Sequence, residues 1–329
     1  MLDIKQLNAF NDFIAGVNTF IKSPRNRIMA DPDPIHIIGS SRLLVYNEFN
    51  PNNPIILFIP SLINKHYILD LTEEQSLVRF LAQKDINVFM IAWNTPIERE
   101  IKFSCKNYIN ERVNNMINFL ARKYNKPILL AGYCIGGLLA LSSAIHNHNI
   151  RGITLLATPW NIKPDHYFSY ITKHLEYIID QYDLVPAELI RLLFYFANQT
   201  KILKKFINFA NTNYDSKEAN LFIATEHWVN DGIAVTNKVL HEIINLYKGN
   251  CSLLQKLCPL TQDFKLPALI IAPKYDRIVP YNTALELKYV LPNHTLISPH
   301  CGHIGMIIGK NAKHDVWIPL HTWIKKIYI

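Results

Sequence analysis

The sequence predicts an α/β fold with a mostly parallel central sheet, helices on both of its faces, and a helical insertion towards one edge. Three observations predict it. Short β-rich runs alternate with helix-length amphipathic stretches through the first half of the chain, as in a buried parallel sheet joined by helical crossovers. The rhythm changes across residues 160–263, which are aromatic-rich, helical in pattern and without a convincing buried strand. Strand character then returns at 268–272 and 294–297.

Taken in order, residues 1–20 interleave charges and asparagines with apolar positions and read as an amphipathic helix rather than a signal peptide, so 1–35 are expected to form a helical arm. Residues 42–47 read as an early edge strand, and 55–59, 87–92 and 128–131 as buried strands. Helices are expected at 73–83 and 106–124 between them, and at 138–146 beyond. Residues 152–157 form the next strand, stopped by Pro159, and an amphipathic segment at 316–327 closes the chain. The core is thus expected in two pieces, 36–159 and 264–329. The intervening 160–263 is expected to be a lid or cap, because an insertion of that size on a regular sheet more often covers a site than folds alone.

The totals fit a packed globule: 329 residues, 49% apolar and 18% charged. Lysine and arginine number 34 against 26 acidic residues, a net charge of +8. The basic residues are scattered and no basic run alternates with aromatics, so nucleic acid is not an expected partner. No run approaches the ~20 apolar residues that span a bilayer, so no transmembrane segment is expected. Five widely spread cysteines, an odd number, fit a reducing cytoplasm. His300-Cys301-Gly302-His303 offers too few ligands, at an unusual spacing, for a metal to be expected.

The chemistry concentrates around Gly132-Tyr133-Cys134-Ile135-Gly136-Gly137, which lies between a strand and a helix. In a nucleophile elbow the central residue sits on a strained strand-to-helix turn, and small residues must stand two positions to either side. Gly132 and Gly136 meet that need, and the helix N-terminus behind Cys134 favours a thiolate. An α/β-hydrolase fold then requires an acid and a histidine downstream, in that order, each on a loop after a late strand. Asp276 follows the strand at 268–272, and His303 follows the one at 294–297. Asp231, Asp263 and Asp315 compete for the acid, and His300 and His294 for the base, from poorer positions: Asp231 lies in the insertion, Asp315 follows the histidine, and His294 stands in or at the start of a strand. Two backbone N–H groups are expected to hold an oxyanion. Ile135 supplies one, and the loop after 55–59 supplies the other from Ser61, Leu62 or Ile63.

With these residues in place, the chain resembles the polyhydroxyalkanoate synthase family. The resemblance rests on Pro60-Ser61-Leu62-Ile63-Asn64-Lys65, Tyr67-Ile68-Leu69-Asp70-Leu71, Val88 to Trp93, the Cys134 elbow, Asp276-Arg277-Ile278-Val279-Pro280 and Gly302-His303-Ile304. It implies an acyltransferase that moves 3-hydroxyacyl groups, 3-hydroxybutyryl among them, from coenzyme A thioesters onto a growing polyester, with Cys134, Asp276 and His303 as the triad. No cofactor is implied, because coenzyme A is the leaving group of the substrate. The chain looks like the short, catalytic-domain-only members, some of which work with a second subunit; a homodimer or such a subunit is the implied partner, and the surface of polyester granules an implied location. Arg277 stands where the family commonly has histidine, and Glu226 to Gly232 depart from the best-known synthases. Two other activities share this pattern: a cysteine hydrolase or thioesterase that passes the acyl group to water, and a non-catalytic partner that binds granules or an acyl ligand. Trp228, Tyr195 and Phe196 are candidates for the lining of an acyl channel.

Overall fold

A computed structural model describes residues 4–24, 29–163, 172–173, 176–197, 199–250, 252–259 and 264–328. Eight strands form one sheet: β1 (Pro34–Ile38), β2 (Ser41–Val45), β3 (Ile55–Ile59), β4 (Asn87–Ala92), β5 (Ile128–Tyr133) and β6 (Ile150–Leu156), with two more, β9 (Ala268–Ile271) and β10 (His294–Ile297), after the insertion. Their spatial order is β1-β2-β4-β3-β5-β6-β9-β10. β1 pairs antiparallel with β2 and β2 with β4, while all the pairings from β4 to β10 are parallel. This is the mostly parallel sheet that the alternating pattern predicts. β3, β4 and β5 are buried along their whole length, which explains their near-continuous apolar sequence.

From β3 the chain moves outward to β4 on one side, then returns to β5 on the other. The loops at the carboxyl ends of β3 and β5 therefore diverge and leave a crevice, the place where open α/β sheets hold ligands.

Several boundaries differ from expectation. β1 begins at Pro34, inside the segment assigned to the N-terminal arm; its half-exposed Pro-Ile-His-Ile-Ile run lacks the continuous burial of the central strands. The helix expected at 73–83 is confined to Leu77–Ala82, because the Ser76 hydroxyl caps it by accepting from Arg79 N at 3.1 Å. The helix expected at 106–124 starts at Cys105 and contains a π-turn at Ile109–Val113. The helix after the elbow starts at Ile135 instead of residue 138, and the strand before it runs on to Tyr133.

The insertion holds helices Ala187–Ala197, Gln199–Ala210, Lys217–Asn230, Asn237–Tyr247 and Ser252–Leu257. It also holds two strands that the sequence does not reveal: β7 (Leu184–Val185) pairs antiparallel with β8 (Val235–Thr236), and Val185, Val235 and Thr236 are buried. Two residues each are too few to show a period in sequence. The N-terminal helix Ile4–Lys22 packs against Gln199–Ala210, with the rings of Phe13 and Phe20 edge-on to Phe206 at 6.0 and 5.9 Å. Among the described residues no helix is long and apolar enough to cross a membrane.

Candidate active site

Cys134 follows the last residue of β5 and is the N-cap of helix Ile135–His146. Its backbone lies at φ 55°, ψ −125°, a conformation that costs an L-residue energy and persists only where its surroundings fix it. They do so here: Cys134 N donates to the Leu156 carbonyl at 2.8 Å, and the Cys134 carbonyl accepts from Gly137 N at 2.9 Å. The turn is also tight. A Cβ on Gly132 would lie 2.3 Å from the Cα of Gly137, and one on Gly136 would lie 2.0 Å from the Ile59 carbonyl oxygen. Both glycines are therefore dictated by close backbone approach, as the elbow pattern predicts.

The acid and histidine loops extend the pairing of β9 with β10. Ala272 N donates to the Ile297 carbonyl, Lys274 N to that of Pro299 and Tyr275 N to that of Cys301, each at 2.9 Å. This brings Asp276 beside His303, with Asp276 Oδ2 2.6 Å from His303 Nδ1. The other oxygen, Oδ1, accepts from Ile278 N at 2.8 Å and Val279 N at 2.9 Å. A buried carboxylate is tolerable only with such partners, and here both of its oxygens are engaged. Tyr133 OH donates to the His303 carbonyl at 3.3 Å, and its ring lies 5.0 Å from the imidazole, holding the histidine loop against the elbow.

Burial alone would lower the pKa of His303. The negative charge of Cys134, hydrogen bonds to Asp276 and Cys134, and the charge of Asp276 outweigh it and push the imidazole up to about 10. Burial, followed by the charges of Cys134 and Asp276, raises the phenols of Tyr133 and Tyr247 well above the usual tyrosine value and keeps them neutral.

The competing residues are engaged elsewhere. Asp231 pairs with Lys65 at 2.7 Å and accepts from Tyr67 OH at 2.9 Å. Asp315 meets His314, His294 Nδ1 lies 2.7 Å from the Leu291 carbonyl, and exposed His300 faces Lys274 and Tyr275. Asp263 lies outside the described residues.

Ile135 opens the elbow helix, whose first amides have no intrahelical acceptor. In the loop after β3, Ser61 and Ile63 line the cavity described below, and Ile63 N donates to Ser61 Oγ at 3.4 Å. Leu62 is buried in the core. Trp93 Nε1 secures the loop by donating to the Pro60 carbonyl at 3.0 Å. Downstream, the buried Asp70 carboxylate accepts from Arg79 Nε at 2.7 Å and from Ser76 Oγ at 2.7 Å.

The insertion closes over this floor. Trp228 Nε1 donates to the Lys65 carbonyl at 2.8 Å, and Asn64 bridges to Gly232. Between insertion and core lies a cavity of about 420 Å³ that reaches Cys134 and His303. Its wall is mostly apolar, with Ile63, Ile68, Ile190, Trp228, Ile278 and Ile304, and exposed Arg277 also lines it. Trp228 thus lines the cavity as the channel expectation has it, whereas the side chains of Tyr195 and Phe196 lie outside the described residues. Sequence reasoning missed Tyr133, Tyr247, and the Lys205–Glu226 pair in the same wall. Tyr133 carries a signal, as the residue before the elbow cysteine; the pair has none, since its members are 21 residues apart on different helices.

A buried thiol, an imidazole beside it in the same cavity wall and a carboxylate behind the imidazole can form and break an acyl-thioester bond. A model of the alpha/beta hydrolase fold family matches residues 54–310. The chain belongs to that family. Among curated proteins it is similar to the poly(3-hydroxyalkanoate) polymerase subunit PhaC of Haloarcula marismortui, at 26% identity over 287 residues, covering 82% of this chain and 60% of that protein. The subunit of the same name from Allochromatium vinosum is 23% identical over 310 residues, covering 88% of this chain and 87% of that protein. Among solved structures, the thioesterase domain from the curacin biosynthetic pathway superposes with a TM-score of 0.56 at 15% identity, covering 90% of this chain and all (100%) of that one. MenH from S. aureus gives 0.56 at 16% identity, covering 89% and 100%. At such identities these structures establish the fold.

Proposed function

We propose that this α/β hydrolase-fold chain is an acyltransferase that joins 3-hydroxyacyl groups from coenzyme A thioesters into polyester. Cys134 is its nucleophile, His303 its proton carrier and Asp276 the group that orients the imidazole. The observation that carries this reading is a cysteine at the strained elbow position, opening on the same cavity as a histidine whose Nδ1 lies 2.6 Å from a buried carboxylate. The polymerase relatives support the substrate class.

In this mechanism the Cys134 thiolate attacks the thioester carbonyl, and the oxyanion is held by Ile135 N–H and an amide of the loop at 61–63. The C–S bond to coenzyme A breaks, and the departing sulfur takes the proton held by His303. One thioester has replaced another at little free-energy cost. His303, now neutral, takes the proton from the hydroxyl at the end of a growing chain and keeps it; that oxygen attacks the Cys134 thioester, the C–S bond breaks, and an ester and the Cys134 thiolate result, restoring the starting pair of thiolate and protonated imidazole. Coenzyme A arrives with the substrate and leaves as the first product, so the cycle uses no resident cofactor. Residues 160–263 act as the cap that keeps water from competing with the hydroxyl. Because the relatives are named as subunits, a second chain is part of this proposal.

The test supplies purified protein with 3-hydroxybutyryl-CoA and follows released coenzyme A together with the acyl product. Insoluble polyester is expected. Free 3-hydroxybutyrate in its place would make the protein a thioesterase, and no release from folded protein would overturn the enzymatic reading.

A further inference from the structure

The cavity wall is mostly apolar, and besides Cys134 and His303 it carries the charged side chains of Lys65, Arg191 and Arg277 and an ion pair where helices Gln199–Ala210 and Lys217–Asn230 face each other. There Lys205 Nζ sits 2.6 Å from Glu226 Oε2, with the Glu226 side chain 6% exposed and that of Lys205 28% exposed. Thr225 and Arg191 line the same cavity, and Arg191 Nη1 donates to Asn230 Oδ1 at 3.0 Å.

An ion pair set into a mostly apolar wall is costly to desolvate, and packed apolar residues in its place would often be as stable or more so. A plain hydrocarbon chain would gain nothing from it. An ammonium carries three N–H donors, and Glu226 is the one hydrogen-bond partner of Lys205 among the described residues. The remaining donors belong to a side chain that lines the cavity, where an occupant bearing oxygens can accept from them. The pair is also held firmly. Phe206, next to Lys205, packs against Phe13 and Phe20, and His227, next to Glu226, lies 4.9 Å ring to ring from Phe20. The N-terminal helix thereby fixes both helices that carry the pair.

We infer that Lys205, held by Glu226, is a specificity-determining subsite for the carbonyl oxygens of an ester-bearing acyl chain, so that the cavity selects an oxygenated polyester over an unsubstituted fatty-acyl chain. The inference rests on the proposed acyl transfer and adds to it the kind of chain the cavity admits. A 3-hydroxyacyl polyester repeats an ester carbonyl every four backbone atoms, so successive repeats of a chain threading the cavity can bring one to Lys205. Because one charge-assisted hydrogen bond is at stake, its loss is worth roughly 10- to 100-fold in the affinity of such a chain.

The experiment separates first acylation from elongation. Lys205→Met alone would leave Glu226 buried and unpaired, so the double variant Lys205→Met/Glu226→Leu is compared with wild type and with Lys205→Arg. Each is given 3-hydroxybutyryl-CoA, with and without an oligomeric 3-hydroxybutyrate primer, and butyryl-CoA. The double variant is expected to keep the rate of Cys134 acylation from both thioesters within about twofold, to lose roughly tenfold or more in elongation from the primer, and to make shorter product; Lys205→Arg should restore most of the elongation. A role confined to holding the two helices together would be served by the apolar pair and leave elongation unchanged. Primer-dependent elongation and product length within twofold of wild type in the double variant would overturn the subsite while leaving acyl transfer standing. A wild-type protein that is not acylated at Cys134 would overturn the acyl-transfer reading, and the subsite with it.

Discussion

The core and the insertion that covers it are built by different kinds of interaction. In the core, position follows from local backbone geometry: Cys134 is held at φ 55° by bonds to Leu156 and Gly137, and Asp276 reaches His303 because two neighbouring parallel strands extend their pairing into their loops. In the insertion, position follows from side chains distant in sequence. Trp228 and Asp231 reach back to Lys65, 163 residues away in the case of the Trp228 bond, and Lys205 meets Glu226 across two helices. The first kind of organisation can be read from a short run of residues and the second cannot. In the proposed function the core therefore supplies the reaction, and the insertion decides what reacts.

Small changes in the core should accordingly do more harm than larger ones above it. A large loss of turnover is expected from Asp276→Asn. It preserves shape but removes the charge that orients and stabilises the imidazolium, and the rate of acyl transfer should fall by about 10³–10⁴-fold with thermal stability much less affected. Steady-state assays beside a melting curve check this; a loss below tenfold would detach Asp276 from the chemistry. Gly136→Ala should act on folding itself, because the added Cβ would lie 2.0 Å from the Ile59 carbonyl oxygen. A destabilisation of about 3 kcal/mol or more is expected in denaturant titrations, from one methyl group.

Next in size is a pH effect. His303 carries a folded pKa near 10, above the ordinary value of about 6.5, so its contribution to stability is complete below about pH 6.5 and fades as pH rises through about 10. Removing the sulfur in Cys134→Ala takes away the leading charge and one of the hydrogen bonds that raise it. The imidazole midpoint, followed by NMR, should then fall well below that of wild type; an unchanged midpoint would mean that Cys134 and His303 do not interact. The smallest effect is expected from Asp231→Asn in the tie between insertion and core. Both partners there are about a third or more exposed, so no more than about 1 kcal/mol should be lost.

The same division explains what is legible in the sequence. The buried strands, the elbow and the order Cys134, Asp276, His303 can be read because apolar runs and glycine spacing are local signals. The start of the elbow helix is harder to place because Gly136 and Gly137 read as turn formers, whereas their lack of a Cβ is what lets this helix approach Ile59 and Thr158. β1 is hidden by half-exposure and an initial proline, and β7 and β8 by their two-residue length. Lys205 and Glu226 look like ordinary charges on helix surfaces. Only the facing of the two helices brings them into a cavity wall.

The central claim is that the elbow cysteine carries the acyl group. The most direct measurement is mass spectrometry of proteolytic peptides after rapid mixing with isotopically labelled 3-hydroxybutyryl-CoA and acid quench. A 3-hydroxybutyryl adduct is expected on the peptide containing Cys134, formed as coenzyme A is released and absent in Cys134→Ala. An adduct on another residue, or turnover with full activity in Cys134→Ala, would contradict it.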